Sequence, residues 1–590
     1  MSDRVIPALI VASVLVIGAL HAAGQTPAPA APVAVTGAIG PIRLVYISHN
    51  FMGAKNVDDS IAVVQRAAAA GYNGVLLTDC KFSRWDEKVT VRRPEYDNNV
   101  KRLVAACRDL KMKVIAACCD QGMDLLSNDP NLAEGMPVAD APFVARGGVL
   151  TPADEEFKLA NPSFEDAASD NQPRGWNVDF PGKCAFLDTT VKCEGKASLR
   201  FQDIKANSSY GNGRAIQALK VKPWRYYHVS VMIKTEAFDA PRTVNITALG
   251  KTHGLVHQTF EVAPTQDWKK YDVVFNTLDN TDVNFYTGSW GGGMGKIWFD
   301  DVRVDAGGFV NLIRRPSLPF KITSEDGAIV YEEGRDYADA RDPKMGNTEW
   351  PGYYKYWYEQ PKVTVPAGSR IKDGQRVLAT YSHAMNTLGW GVFACMAEPK
   401  VMELVKRQVA SLHAVLGPDA YMITHDEIRH MGWDESCKKT GLPVSRLLAE
   451  NVKQCLAVIR AEDPGKPIYA WSDMFDPFHN AGKDGYYYLV AGKDPWYGGW
   501  EGLDKDVIVI NWNSDPAKRV NSMKWFASRG HKQILAGFYD APSENVVPWL
   551  KDASGVEGIL GVMYTTWGQN YTELRKFTGI VDAFSKAQGK

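Results

Sequence analysis

The stretch IRLVYISHNFMGAKNVDDSIAVVQRAAAAGYNGVLLTD, residues 42–79, decides how the chain is read. Its first seven residues, Ile42 to Ser48, form a continuous apolar run with the length of a strand. "DDSIAVVQRAAAAG" is an amphipathic helix that stops at Gly71. "GVLLTD", Gly74 to Asp79, is a second apolar run. Strands that are apolar on both faces and separated by a helix indicate a parallel βαβ unit. The rhythm continues through "YDNNVKRLVAACRDL", where Val100, Leu103, Val104, Cys107 and Leu110 share one face. A third strand follows in "KVIAACCD", Lys113 to Asp120.

The rhythm then breaks. Between about Phe157 and Val304 the chain alternates with a period of two and carries frequent turn residues, as in "RYYHVSVMIKTE" and "WKKYDVVFNT". This pattern predicts an antiparallel β-sandwich over 151–306. A smaller β-rich segment is expected over 307–375. The α/β rhythm then resumes, with strands expected at Ala420 to Thr424, Pro467 to Trp471, Val507 to Asn511, Gln533 to Phe538 and Gly558 to Tyr564. Three strands in 41–150 and five in 376–590 make eight. The fold class expected is therefore α/β, a (β/α)8 TIM barrel with an inserted all-β jelly-roll or sandwich domain. A doubly wound open sheet is the alternative.

The N-terminus reads as a secretory signal over residues 1–24: Arg4, an apolar run from Val5 to Leu20, and small residues in "HAAGQ". The run is short for a membrane span. A Pro/Ala-rich tether follows over 25–40. The expected mature protein is secreted or periplasmic, with no membrane anchor once the signal is cleaved. Nine cysteines form neither a zinc knuckle nor a dense disulfide framework. Cys184 and Cys193 could pair after export. The net charge of −1 gives no footprint for nucleic acid. The 17 tryptophans fit a protein that stacks sugar rings, although core filling is the plainer reading of any single one.

The ends of the expected barrel strands carry the chemistry, because barrel sites lie at the C-terminal face. In chain order they offer His49; Asp79; Asp120; His425, Asp426 and Glu427; Trp471 and Asp473; Asn511, Trp512 and Asn513; Tyr539 and Asp540; and Thr566, Trp567 and Gln569. Carboxyl groups exchange protons and indoles stack on sugar faces, which suits glycosidic bond chemistry. No phosphate-binding loop or dinucleotide glycine fingerprint occurs at a strand end. Asp79 and Asp120 read equally well as helix caps. In "HDEIRH" the two histidines are five residues apart and the first ends a strand, so the helical zinc-protease geometry does not apply.

This series resembles glycoside hydrolase family 20, the β-N-acetylhexosaminidases. That family carries an adjacent Asp-Glu after its fourth strand, Trp after the fifth and sixth, Tyr and Asp after the seventh, and Trp-x-Glu after the eighth. The counterparts here are Asp426-Glu427, Trp471, Trp512, Tyr539-Asp540 and Trp567-Gly568-Gln569. The resemblance implies a retaining reaction assisted by the substrate's own 2-acetamido group. Glu427 would be the general acid and Asp426 would orient the acetamido group. The tryptophans would box in the sugar, and Tyr539 would bond the acetamido oxygen. The substrate would be an oligo- or polysaccharide, and no cofactor would be needed for catalysis. Thr424-His425 stand where the family has Gly-Gly, and Gln569 stands where it has Glu. A non-catalytic glycan-binding protein on a degenerate barrel is one alternative. Another is a two-carboxylate glycosidase for non-acetamido sugars, with Asp473 or Asp540 as the second group. The sandwich resembles jelly-roll carbohydrate-binding modules, which implies a structural calcium held by Glu165 and Asp300 or Asp301.

Overall fold

The computed structural model describes residues 39–84, 92–153, 158–387, 391–537 and 542–588. The expected signal, 1–24, and nearly all of the tether, 25–40, lie outside these residues, as do Tyr539 and Asp540. Among the described residues, no helix is long and apolar enough to cross a membrane.

Eight parallel strands close into a barrel: Ile42–Ser48, Gly74–Thr78, Lys113–Cys118, Ala420–Ile423, Ile468–Trp471, Ile508–Asn511, Gln533–Leu535 and Ile559–Tyr564. The first and last strands pair, with Leu44 opposite Met563, which completes the ring. Each strand is apolar on both faces, for two different reasons. Leu44, Tyr46, Leu76, Ile115, Met422, Ile510 and Met563 fill the barrel interior. Their neighbours Val45, Ile47, Val75, Leu77, Val114, Tyr421 and Ile423 face the outer helices and the main core. Side chains alternate along a strand, so one continuous apolar run serves both layers.

The expectation of a (β/α)8 TIM barrel is corrected here. The strands close, but the regular alternation with helices does not hold. Helix makes up only 25% of the described residues, and antiparallel sheets take a large share of the rest. The third strand is followed by a four-residue helix, Met123–Leu126, before the chain leaves the barrel. The fifth is followed by short 3-10 turns, Asp473–Phe475 and Gly499–Gly502, and a two-residue strand, Leu489–Val490. Pro477, Gly482, Gly485, Gly492, Pro495 and Gly498 interrupt that stretch, and a helix cannot propagate through such spacing.

Two five-stranded antiparallel sheets form the sandwich. One centres on Tyr226–Glu236 and Lys296–Ala306, the other on Val244–Leu249 and Asp282–Ser289. Val229, Val231, Ile233, Ile246, Phe285 and Phe299 alternate inward and meet in one buried core. A third five-stranded sheet takes in Met136–Arg146 and Arg376–His383, which pair antiparallel. Sequence reading had assigned these segments to the barrel; the structure places them beside it. Their alternation sets them apart, since most positions of the barrel strands are buried and these strands alternate between buried and part-exposed positions over much of their length. Cys184 and Cys193 do not pair: both are free thiols, one buried and one exposed.

Candidate active site

A cavity of about 450 Å³ opens at the C-terminal end of the barrel strands. Its walls include Tyr46, Asp79, Asp120, Asp426, Glu427 and Trp471. Trp512 and Trp567 complete an aromatic side. Tyr46 stands edge-on to Trp567 at 5.3 Å, and Trp471 lies 6.2 Å from Tyr46 and 6.3 Å from Trp567. The rings are tilted against one another, and an indole face among them can accept the face of a ring that carries polar groups at its rim.

The carboxyl cluster is built from consecutive strand ends. After Ile423 the chain passes through Thr424 and Asp426, which both line the cavity. His425 between them is fully buried on the other side, where its Nε2 meets Asn451 at 2.9 Å on the helix Val444–Glu462. Alternation in extended chain separates neighbours in this way. His425 was expected to contact substrate; it packs behind the strand instead. Glu427 has φ +45°, a left-handed conformation that costs a non-glycine residue on the order of 1 kcal/mol. Its backbone N–H donates to Asp473 at 2.9 Å, which holds the turn. The strained turn lets Asp426 and Glu427 both face the cavity although they are adjacent in sequence.

Asp473 is completely buried and serves as a brace. It also accepts from Asn480 at 2.8 Å and from the Trp512 indole at 3.1 Å. Glu427 pairs with Arg429 at 2.7 Å, and Arg429 lies over the Tyr488 ring. Burial drives the Asp426 carboxyl well above the ordinary range, and the neighbouring Asp473 and Glu427 push it further. Burial raises Glu427 as well, against the pull of Arg429. Burial raises Asp473 despite its donors. Burial and neighbouring negative charge therefore hold protons on this cluster to a higher pH than on an exposed carboxylate.

The remaining expected residues divide. Asp79 lines the cavity but is fully engaged: it accepts from Phe51 N–H at 2.8 Å, Lys81 N–H at 3.0 Å, Lys81 Nζ at 2.9 Å and the Tyr96 hydroxyl at 3.0 Å. Asp120 accepts from the amides of Gly122 and Leu125. Both therefore do the capping work that their positions allowed. His49 turns away to Ser60 at 2.7 Å, and Gln569 donates to the Ser48 carbonyl at 3.0 Å. Neither is among the residues that line the cavity. In the sandwich, Glu165 accepts from the amide of Lys196 at 2.5 Å, and Asp300 accepts from those of Cys193 and Glu194. Both hold one loop. Asp301 instead takes the Arg303 guanidinium at 2.6 Å.

Sequence reading missed Asp124 and Tyr46. Asp124 lines the cavity, and burial, with Asp120 nearby, pushes its carboxyl up to about 7. Asp124 lies in the short helix Met123–Leu126 just past the third strand, whereas Asp120 lies in the loop before it, so no helical spacing links the two. Tyr46 lies inside the first strand and carried no signal beyond its inward phase. Burial, followed by Asp426, raises its hydroxyl.

No family model matches the chain, and no curated protein matches it. Solved structures do give matches, in 180 chains. A CBM4 structure aligns at 18% identity over 25% of this chain and 99% of its own, with a TM-score of 0.20. A family 16 carbohydrate-binding module aligns at 16% identity over 25% of this chain and 97% of its own, with a TM-score of 0.19. A rhamnosidase from Novosphingobium sp. PP1Y aligns at 10% identity over 94% of this chain and 59% of its own, with a TM-score of 0.30. These TM-scores are too low to identify either the fold or the reaction.

Proposed function

We propose that the protein is an exported glycoside hydrolase acting on an oligo- or polysaccharide at the barrel cavity. The observation that carries this reading is the meeting, in one cavity, of Asp426 and Glu427, both pushed toward the protonated form, with Trp471, Trp512 and Trp567, braced from behind by the buried Asp473. A glycosidic oxygen leaves only when protonated, so the site needs a carboxylic acid that keeps its proton near neutral pH. Glu427 is that acid. It faces the cavity, burial raises its affinity for a proton, and Arg429 limits the rise so that the proton can be given up. Asp426 orients the sugar's polar substituent beside the reacting carbon. Asp473 fixes the backbone of Glu427 and the indole of Trp512. The indoles exclude water and bind the ring face, which strengthens every charge interaction in the cavity.

A second reading is favoured by a specific observation. Asp120 and Asp124 line the same cavity, and Asp124 is held near neutral pH in its exchange of a proton. In that reading the nucleophile or base is an enzyme carboxylate, and the substrate carries no acetamido group. A panel of aryl glycosides with and without a 2-acetamido substituent separates the two. Turnover confined to acetamido sugars supports substrate assistance. Turnover confined to plain sugars supports the carboxylate nucleophile. Absence of turnover across the panel and across natural glycans overturns the enzymatic reading in favour of a glycan-binding protein.

A further inference from the structure

Away from the cavity, four buried side chains that sequence reading did not connect meet at one point: Glu134, Cys395, Asp434 and Cys437. Each offers one ligand atom, and these atoms all lie within 4.8 Å of one another. We infer that they form a binding site for one divalent cation of the thiolate-preferring class, with zinc as the first choice.

Three of the six ligand–ligand edges are close to those of a tetrahedron, and the widest separation, within 4.8 Å, would close as the side chains turn onto an ion. Cys395 Sγ lies 3.5 Å from Cys437 Sγ, Cys437 Sγ lies 3.1 Å from Glu134 Oε2, and Cys395 Sγ lies 3.6 Å from Asp434 Oδ1. With zinc–sulfur bonds of about 2.3 Å and zinc–oxygen bonds of about 2.0–2.2 Å, the edges of a tetrahedral site span roughly 3.3–3.8 Å. The shell behind the ligands is also in place. Glu134 Oε1 accepts from the amides of Trp433 at 2.7 Å and Asp434 at 3.1 Å, which leaves Oε2 aimed at the sulfurs. Asp434 Oδ2 is held by Arg315 and by the amide of Gly135, while Oδ1 takes the amide of Cys437 and faces Cys395. Outer hydrogen bonds of this kind orient metal-binding carboxylates. Binding replaces the two thiol protons, which pass to solvent, and the cation and Arg315 together offset most of the charge of two thiolates and two carboxylates. A Cys395–Cys437 disulfide is the competing outcome. It would require an oxidant to accept two electrons, and it would leave two buried carboxylate oxygens facing sulfurs that no longer carry protons.

The site has structural consequences for the chain. Glu134 lies where the chain has left the third barrel strand, Cys395 lies just before it re-enters at the helix Pro399–Leu416, and Asp434 and Cys437 lie just beyond Glu427. One ion would tie the exit, the return and the strand-four loop together.

The test uses the full chain, stripped with a chelator under reducing conditions and titrated with zinc against a chromophoric competitor. One equivalent is expected to bind and to raise the thermal midpoint. Cobalt in place of zinc should give thiolate charge-transfer absorption. Cys437→Ser and Glu134→Gln should each weaken binding on the order of 100-fold or more; Glu134→Gln keeps both thiols should the serine variant fail to fold. Three results overturn the inference: no stoichiometric binding by the stripped chain, undiminished binding by both variants, or a thiol titration of unreduced protein two short of the nine cysteines.

Discussion

Two aspartates show how differently the barrel and the sandwich treat the same side chain. Asp188 in the sandwich is buried and carries a strong set of donors: Thr190 N–H and Oγ1, Val191 N–H, the Trp298 indole and the Arg200 guanidinium. Burial alone would raise its pKa, but the donors, Trp298 and Thr190 foremost, hold the carboxyl far below its ordinary value. Asp426 at the barrel mouth lies between two further carboxyls, and burial drives it the opposite way. Burial pushes both carboxyls up, and the sign of the neighbours then opposes that push at Asp188 and adds to it at Asp426. The donors supplied to Asp188 outweigh its burial.

The largest expected effect tests the barrel side of this contrast. Glu427→Gln should cut turnover by about 10²–10⁴-fold while glycan binding survives, as read by kcat on the productive aryl glycoside and by calorimetric titration. Unchanged turnover would break the contrast at its centre. Next comes the sandwich. Asp188→Ala strands the buried Trp298 indole and the Arg200 charge, and should cost about 2–4 kcal/mol in the sandwich's urea transition without changing kcat on a small substrate. If turnover falls with it, the two regions are not independent.

Asp124 gives a smaller effect with a defined pH signature. Its carboxyl goes from an ordinary 3.8 to about 7 in the fold. Between those values the folded state holds a proton that the unfolded state has released, so this group's contribution falls as pH rises through that window. Asp124→Asn should therefore raise stability by about 1–3 kcal/mol above pH 7, with the difference from wild type disappearing below about pH 4. Thermal midpoints at pH 4 and pH 8 check this. A gain of equal size at both would assign the effect to packing. The smallest effect concerns Arg429, which pulls the Glu427 pKa down. Arg429→Met should shift the alkaline limb of the kcat profile upward by about one pH unit, because the acid then holds its proton longer.

Much of this was legible in the sequence, and the exceptions share a cause. The first strand was expected and observed at Ile42–Ser48, and the others fall within a few residues of their expected bounds. Apolar runs punctuated by Gly71 and Gly417 are local signals. Asp426, Glu427 and the three indoles were legible as strand ends. His425 was not, because the strand's phase past Ile423 depends on which face the outer helix Val444–Glu462 covers. The incomplete helical coat was not legible from the strand pattern, because eight apolar runs are the same whether a helix or a loop follows each; the Gly and Pro residues after Trp471 are what interrupt it. Met136–Arg146 and Arg376–His383 misled because their partners lie more than 200 residues apart, as with Thr380 and Asp140 at a separation of 240.

The sequence by itself determined where strands and helices form and which acidic and aromatic groups stand at strand ends, because periodicity and turn chemistry act over a few residues. Only the tertiary structure decided which of those groups converge. Barrel closure brings Trp567 beside Tyr46 and sets Asp473 under Glu427, and the return of the chain from the inserted sheets brings Cys437 to Glu134 across a separation of 303 residues. Such proximities arise from packing between distant segments, and the same packing removes water from the carboxyls and raises their affinity for protons.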